Sequence, residues 1–136
     1  MPKHRRGSRT APRRPSGGHV PFEELVERAL AGIPDPFRAA LDEVAIVIDD
    51  DLSPQQRTDN GLRPGEDLYG LYEGVPRTEY AADWGPAPNR ITLFRLPLEE
   101  DFADPLDLAE EVRITVIHEL AHHLGIDDDR LDELGV

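Results

Sequence analysis

The sequence predicts a single α+β domain over residues 20–136, and three observations lead to this fold class. Helical and extended patterns alternate along residues 20–104. They are followed by a long helical pattern over residues 105–124 that is apolar around most of its circumference. The whole chain has 136 residues, which suits one domain with its own hydrophobic core.

The first half of the predicted domain carries two helical patterns and one extended run. Apolar residues at helical spacing predict a helix over residues 21–31, and residues 37–43 predict a second, short helix. Residues 44–48, VAIVI, are mostly β-branched and predict a buried strand that the three aspartates at 49–51 end. These aspartates lack the glycine and the distal glutamate of a calcium loop, so a solvated strand end is favoured over a cation site.

The second half contains two further strand patterns before the long helix. Residues 52–66 are polar and turn-forming, and residues 67–72 then predict a second strand. After a loop over residues 78–89, residues 90–96 predict a third strand, which Pro97 is expected to end because proline has no N–H to donate.

The long helix over residues 105–124 has clear start and stop signals. Asp104 supplies a side-chain acceptor for the first free N–H groups, and Pro105 suits the first helical position. Gly125 can adopt the left-handed conformation that commonly ends a helix. Because apolar residues cover most of this helix, we expect it to be buried, with the strand over residues 90–96 as a wall of the adjoining cleft.

The end of this helix carries a pattern typical of a catalytic metal site. Residues 118–128 read HELAHHLGIDD, which is H-E-x-x-H-x-x-G-x-x-D. His118 and His122 are four residues apart, so a helix places both imidazoles on one face, where they can bind one ion. A hydrolytic zinc site has a third protein ligand, for which Asp128 is the candidate, and a water molecule. Glu119 is placed to accept a proton from that water as the general base.

Each of these residues also has a plainer interpretation. The two histidines could be hydrogen-bonded core or cleft residues, and Glu119 could be an ordinary acid on the helix surface. Burying two histidines without a ligand would need dedicated acceptors, which the sequence does not identify, so a metal site is favoured. His123 lies about 100° around the helix from His122 and is therefore interpreted as a cation at the helix C-terminus and not as a ligand.

The third ligand stays open among the acidic residues that follow the helix. Asp127, Asp128 and Asp129 are adjacent, and any of them could instead cap a short helix formed by the sequence DRLDELG. Asp132 and Glu133 are further candidates if the turn after the helix is longer than expected.

Composition narrows the possible classes of protein. The chain contains no cysteine, which excludes disulfides and Cys-based zinc sites and leaves histidine and carboxylate as ligands. No apolar run is long enough to span a bilayer, and no apolar segment follows the basic N-terminus. We therefore expect a cytoplasmic protein with no membrane partner.

Charge is unevenly distributed along the chain. Residues 1–19 contain six of the 15 Lys and Arg residues and no Asp or Glu, so the other residues include nine basic and 28 acidic ones, a net charge of −19. Because residues 1–19 are rich in Arg, Pro, Gly and Ser, we expect them to form a disordered basic arm. Such an arm can contact nucleic acid or an acidic protein surface, but the lack of interleaved aromatic residues favours a solubilising extension.

The motif at residues 118–128 resembles the zincin metallopeptidases, and among them the Asp-zincin pattern. The chain is also similar to the short bacterial zincin-like metallopeptidase family, through LYGLYEGVP at residues 68–76 and RITLFRLP at residues 90–97. The resemblance implies a minimal zincin-like domain, in which a small twisted mixed sheet of about three to four strands packs on an N-terminal helix and a long C-terminal active-site helix. It also implies one zinc ion per chain, held by the two histidines and Asp128, with Glu119 as general base.

The same resemblance implies an extended peptide or protein as substrate, bound as an added strand along an edge strand that lies over the helix. Tyr72, Tyr80 and Arg90 are candidates for stabilising an oxyanion. The chain departs from larger zincins because Met1 is its only methionine, so no Met-turn follows the motif, and because no obvious C-terminal subdomain follows it either.

Two other functions compete with zinc-dependent peptide hydrolysis. A non-catalytic metal-binding scaffold that binds a partner is favoured by the missing cleft elements. A metal-dependent ribonuclease is suggested by the basic arm and by a similar H-x-x-x-H-x-x-G-x-x-H helix in a small bacterial rRNA endonuclease family. That family lacks the glutamate, however, and the acidic body repels phosphate, which argues against a nucleic-acid partner. The sequence does not predict an oligomeric state.

Overall fold

A computed structural model describes residues 20–74 and 89–135 of the chain. Its helices are α1 (Phe22–Ala31), α2 (Phe37–Ala40), α3 (Pro54–Asp59), α4 (Arg95–Asp101), α5 (Pro105–Leu124) and α6 (Asp128–Leu134), and its strands are β1 (Ala45–Asp49), β2 (Gly70–Glu73) and β3 (Arg90–Phe94). The predictions for the arm at residues 1–19 and for most of the loop at residues 78–89, including Tyr80, lie outside the described residues.

The three strands form one mixed sheet in the order β1-β3-β2. The central strand β3 pairs in parallel with β1, where Ile46 lies opposite Ile91, and antiparallel with β2, where Tyr72 lies opposite the same residue. Helices precede, interrupt and follow the strands along the chain, which confirms the predicted α+β class and the small mixed sheet.

Helix α5 confirms the predicted start, end and burial of the long helix. The Asp104 side chain accepts a hydrogen bond from the Leu106 N–H, and Pro105 is the first helical residue. At the other end, Gly125 has φ 73° and ψ 25°, a left-handed conformation that a Cβ atom would disfavour. The local signals in the sequence therefore fix both ends of the helix that carries the motif.

The core lies where α1 and α5 pack against each other and against the sheet. Phe22 and Leu25 of α1 are buried, and Val112, Val116 and Leu120 of α5 have no exposed surface. Burial of each such side chain stabilises the fold by about 1.5–3 kcal/mol. Within residues 20–74 and 89–135, none of the helices is both long and apolar enough to cross a lipid bilayer.

The VAIVI run does form a strand, but the prediction that this strand is buried is wrong. Strand β1 is an edge strand, and Ile46, Val47 and Ile48 are only partly buried. The sheet order decides this outcome, because the buried central place is taken by β3, in which Ile91 and Leu93 have no exposed surface.

Two short helices were not predicted. Helix α3 lies in the segment predicted to be only turns, and it begins with a capping box in which Ser53 and Gln56 exchange side-chain to main-chain hydrogen bonds. Strand β3 ends at Phe94, two residues before the predicted end, and helix α4 follows at once. Pro97 lies in the first turn of α4, where its missing N–H would have no intrahelical partner.

Helix α3 is joined to the sheet by an ion-pair cluster. The Arg57 Nη2 atom lies 3.0 Å from Asp67 Oδ1 and 3.1 Å from Asp51 Oδ1, and its Nη1 donates to the Glu66 carbonyl oxygen. Asp67 is buried, with 2% of its surface exposed, so the guanidinium compensates a carboxylate charge that water cannot reach. We call Arg57, Asp51 and Asp67 the Arg57 cluster.

Candidate active site

The strand that packs most extensively against α5 at the site is β2, which the sequence did not predict as a wall. Strand β3, in residues 90–96 as predicted, also contacts α5, but less extensively. Strand β2 lies so close to α5 that a Cβ atom on Gly70 would be 2.6 Å from Thr115 Cγ2. Glycine is therefore required here by packing, and it lets a strand and a helix approach each other at the site.

The main chain of β2 contacts Glu119 directly. The Tyr72 N–H donates a hydrogen bond of 2.9 Å to Glu119 Oε1. The Tyr69 carbonyl accepts from Phe94 of β3, and main-chain groups in a strand alternate in direction, so the Tyr72 N–H is on the open edge of β2. The outer edge of the sheet thus orients one oxygen of the carboxylate that the sequence identified as the candidate base.

Glu119 is fully buried beside the candidate metal ligands. His122 Nδ1 lies 3.9 Å from Glu119 Oε1, which is too long for a hydrogen bond but close enough for an electrostatic interaction. His118 and His122 are partly buried, and their spacing places them on one face of α5, one turn apart. The carboxylate and both imidazoles therefore share the C-terminal half of one rigid helix.

Four polar residues at four-residue spacing face the protein interior along α5, and we call them the polar row. They are buried, with 0–4% of their surface exposed: Glu111, Thr115, Glu119 and His123. Thr115 lies against Gly70, and Glu119 and His123 both contact Tyr72, so the polar row follows β2. Polar side chains four residues apart are readable in the sequence, and this spacing could have identified the face of α5 that meets β2.

His123 lies in the last turn of α5, as the sequence predicted, but its side chain is inside the protein. Its ring has no exposed surface, and its Nε2 lies 2.7 Å from Glu43 Oε1 while its Nδ1 lies 3.2 Å from the Tyr72 hydroxyl. The reason is geometric, because a residue four positions after Glu119 lies on the same inward face of the helix. Both ring nitrogens are used within the protein, which leaves His123 in a structural environment unlike that of His122.

The acidic turn after α5 separates the candidate third ligands. The Asp127 side chain accepts from the Arg130 N–H and caps α6, as the alternative interpretation of these aspartates predicted. Asp128 is the first residue of α6 and is partly buried, whereas Asp129 and Asp132 are exposed. Of the acids in this turn, Asp128 has the degree of burial that also characterises the two candidate histidine ligands.

Some of the side chains expected to coordinate zinc are suitably placed, and others are not. Two imidazoles on one helix face are a common half of a zinc site, and the carboxylate-rich turn offers the oxygen ligand that such sites combine with them. In the part of the chain that the structure describes, however, no three His, Cys, Asp or Glu side chains are grouped closely enough to hold an ion. The two histidines therefore fit the metal, and the third ligand stays a prediction.

The candidates for oxyanion stabilisation have different environments. The Tyr72 ring lies edge-on to His122, with ring centroids 6.5 Å apart and planes at 90°, and its hydroxyl is bonded to Asn89 and His123. Arg90 is exposed at the start of β3 and forms an ion pair with Glu73. Among the described candidates, Tyr72 is therefore the one in contact with the site.

The solvent face of α5 carries an ion pair that is independent of the site. The hydrogen bond from Arg113, together with its positive charge, holds the pKa of the Glu110 carboxyl below its ordinary value of 4.5, although partial burial opposes this shift. The same pair raises the pKa of Arg113. Glu110 is therefore an acid on the same helix but outside the candidate site, and it can serve as a control for substitutions of Glu119.

Comparison with known proteins identifies the family to which the chain belongs. The family model of zincin-like metallopeptidases matches residues 41–136, a stretch that begins before β1 and includes β2, α5 and α6. No curated protein sequence matches the chain significantly. The family match covers more than half of the 136 residues and contains every candidate site residue. The chain therefore belongs to the zincin-like metallopeptidases.

Proposed function

We propose that the protein is a zinc-dependent peptidase in which His118, His122 and Asp128 hold one zinc ion and Glu119 is the general base. The observation that carries this proposal is the environment of Glu119. Its carboxylate is buried, oriented by the Tyr72 N–H and placed near the imidazole of His122, in the same half of α5 as His118. A buried and oriented acid beside candidate metal ligands supports a role in hydrolytic chemistry.

In this proposal, His118, His122 and Asp128 would hold the zinc ion, and Glu119 would transfer the proton. When bound, zinc supplies a Lewis acid that polarises a carbonyl group and lowers the pKa of a water molecule. Glu119 accepts the proton as water attacks the scissile carbonyl and then delivers it to the leaving amine. The Tyr72 N–H binds Oε1 and thereby fixes the direction of the carboxylate that takes part in this transfer.

The substrate we propose is an extended peptide. Strand β2 is the edge strand beside α5, and an extended chain can pair with main-chain groups of its open edge other than the Tyr72 N–H, which binds Glu119. Main-chain hydrogen bonds recognise the extended conformation of a peptide and depend little on its side chains. We therefore propose that peptides of many sequences are substrates. The partner is thus an unfolded segment of a protein or a free peptide.

The test of this proposal is the Glu119→Gln variant. The amide cannot take up a proton, so we expect kcat/KM on a quenched fluorescent peptide library to fall by about 10²–10⁴-fold while zinc binding is unchanged. Glu110→Gln, an equivalent substitution on the solvent face of the same helix, should leave kcat/KM as in the wild type. A Glu119→Gln protein that binds zinc and retains full peptidase activity would contradict the proposed role of Glu119.

A non-catalytic metal-binding scaffold is the second candidate. It is supported by the finding that, among the described residues, no three His, Cys, Asp or Glu side chains are grouped closely enough to hold an ion. A scaffold would bind about one zinc ion per chain and cleave no member of the peptide library. Cleavage that depends on Glu119 would exclude it.

A further inference from the structure

The fully buried His123 connects parts of the protein that are distant in sequence. Glu43 ends the 3₁₀ turn before β1, His123 lies in the last turn of α5, Tyr72 belongs to β2, and Asn89 immediately precedes β3. Their side chains form a continuous series of hydrogen bonds of 2.7, 3.2 and 3.0 Å. We call these four residues the His123 network.

The His123 network restricts how β2 can sit on α5. Glu43 and His123 are separated by 80 residues, and Tyr72 and His123 by 51, so both bonds are tertiary contacts. The end of β2 is also packed tightly against Asn89, because a Cβ atom on Gly74 would collide with the Asn89 side chain. Buried hydrogen bonds in such a network hold their elements in one arrangement, since breaking one leaves a buried polar atom unsatisfied.

Tyr72 is the residue at which the His123 network meets the site. Its hydroxyl belongs to the network, its ring lies edge-on to His122, and its main-chain N–H holds Glu119 Oε1. Movement of Tyr72 away from α5 would therefore change the orientation of the Glu119 carboxylate. Displacements of about 1 Å within a catalytic site can lower the rate by about 10²-fold.

We propose that His123 is a positioning residue: together with Glu43 it holds Tyr72 in place, and through the Tyr72 N–H it fixes the Glu119 carboxylate. This inference rests on the proposed function of Glu119 as the base. It assigns His123 a role different from that of the adjacent His122, although both belong to the same motif.

The experiment compares Tyr72→Phe with Tyr69→Phe in the full chain. Both substitutions remove one tyrosine hydroxyl from a neighbouring position, but the Tyr69 hydroxyl bonds to Asp101, outside the His123 network. Tyr72→Phe should lower kcat by about tenfold with little change in KM or in zinc affinity, because the main-chain N–H stays and only its position loosens. An equal loss of kcat in both variants, or a loss of zinc affinity in Tyr72→Phe alone, would overturn the proposal.

Amide hydrogen exchange at residue 72 gives a second readout that needs no turnover. In Tyr72→Phe, exchange at this amide should be at least about tenfold faster than in the wild type and in Tyr69→Phe. If the wild type cleaves no peptide but this acceleration is found, the proposed function fails and the positioning role stands. Unchanged exchange at residue 72 overturns the positioning role, whatever the peptidase activity.

Substitutions of Glu43 provide a variant that keeps the core intact. Glu43 is partly exposed at 42% of its side chain, so its replacement leaves the packing around His123 in place. Glu43→Ala should accelerate exchange at residue 72, whereas Glu43→Gln, whose amide oxygen still accepts from Nε2, should restore most of the protection. Equal exchange in Glu43→Ala and in the wild type would contradict the role of His123.

Discussion

Two buried carboxylates flank β2, and they are held in different ways. Asp67, three residues before the strand, is bonded by the guanidinium of Arg57. Glu119, on α5, takes its hydrogen bond at Oε1 from the neutral main-chain N–H of Tyr72. Both acids are nearly inaccessible to water, with 2% and 0% of their surfaces exposed.

The partners of the two carboxylates indicate a structural role for Asp67 and are consistent with the proposed catalytic role of Glu119. The guanidinium of Arg57 compensates the charge of the buried Asp67 carboxylate and also pairs with Asp51, so the Arg57 cluster serves to join α3 to the sheet. The main-chain N–H of Tyr72 fixes the direction of Glu119 Oε1 without supplying a full positive charge, which suits the proposed role of Glu119 as a base. The kind of partner, more than burial itself, therefore distinguishes the candidate catalytic acid.

The largest effect on stability is expected from Arg57→Met. The substitution leaves the Asp67 charge buried without its guanidinium, and the free energy of unfolding should fall by about 2–3 kcal/mol, measured by urea denaturation. Adding Asp67→Asn should recover part of this loss, because the buried group is then neutral. A loss below about 0.5 kcal/mol would show that the Arg57 cluster acts only as a surface ion pair.

Gly70→Ala tests the close approach of β2 to α5, the helix that carries Glu119. The new Cβ atom would meet Thr115 Cγ2 at 2.6 Å, so we expect a loss of about 1–3 kcal/mol in unfolding free energy. Thr115→Ser removes the obstructing methyl group and should restore most of the stability in the double variant. Wild-type stability of Gly70→Ala alone would mean that the strand lies further from the helix.

The acids after α5 can be assigned by comparing Asp128→Ala with Asp127→Ala. Removal of a metal ligand should weaken zinc binding by at least about tenfold, a loss of about 1.4 kcal/mol in a competition titration. Asp127→Ala removes the cap of α6 and should cost about 1 kcal/mol of unfolding free energy while zinc affinity stays the same. The opposite pattern would identify Asp127 as the ligand.

The smallest effect is expected at the exposed pair on α5. Because Arg113 lowers the pKa of Glu110, the pair stabilises the folded state above about pH 4.5, and this contribution is lost as the pH falls through the lowered pKa. Glu110 is half exposed, so solvent screening limits the contribution to below about 0.5 kcal/mol. The unfolding free energies of the wild type and Glu110→Gln should differ slightly at pH 7 and converge as the pH falls through the lowered pKa of Glu110; a difference that grows on acidification would contradict this sign.

The sequence predicted the elements whose signals are local. Helix α5 was predicted over its full length because the Asp104 cap, Pro105 and Gly125 act within one turn of its ends. The burial of β1 could not be predicted, since it depends on which strand occupies the centre of the sheet. Helix α3 was missed although its capping box, Ser53 with Gln56, is visible in the sequence.

The candidate site likewise combines local features that the sequence predicts with long-range contacts that it does not predict. The spacing of His118, Glu119 and His122 is a helix property, so the sequence alone places them together. The contact between Tyr72 and Glu119 depends on β2 being the edge strand next to α5, and no short-range pattern encodes that. Similarly, the bond from His123 to Glu43 joins residues 80 positions apart in the chain, and no local pattern predicts such a contact.

Zinc analysis tests the proposal that the face of α5 bearing His118 and His122 binds a metal ion. Full-length protein would be saturated with zinc sulfate, dialysed and measured by plasma mass spectrometry, beside His118→Ala and the matched helix variant Glu110→Gln. We expect about one zinc ion per chain in the wild type and in Glu110→Gln, and almost none in His118→Ala. Wild-type protein that retains no zinc, or a His118→Ala variant that retains as much as the wild type, would contradict the claim.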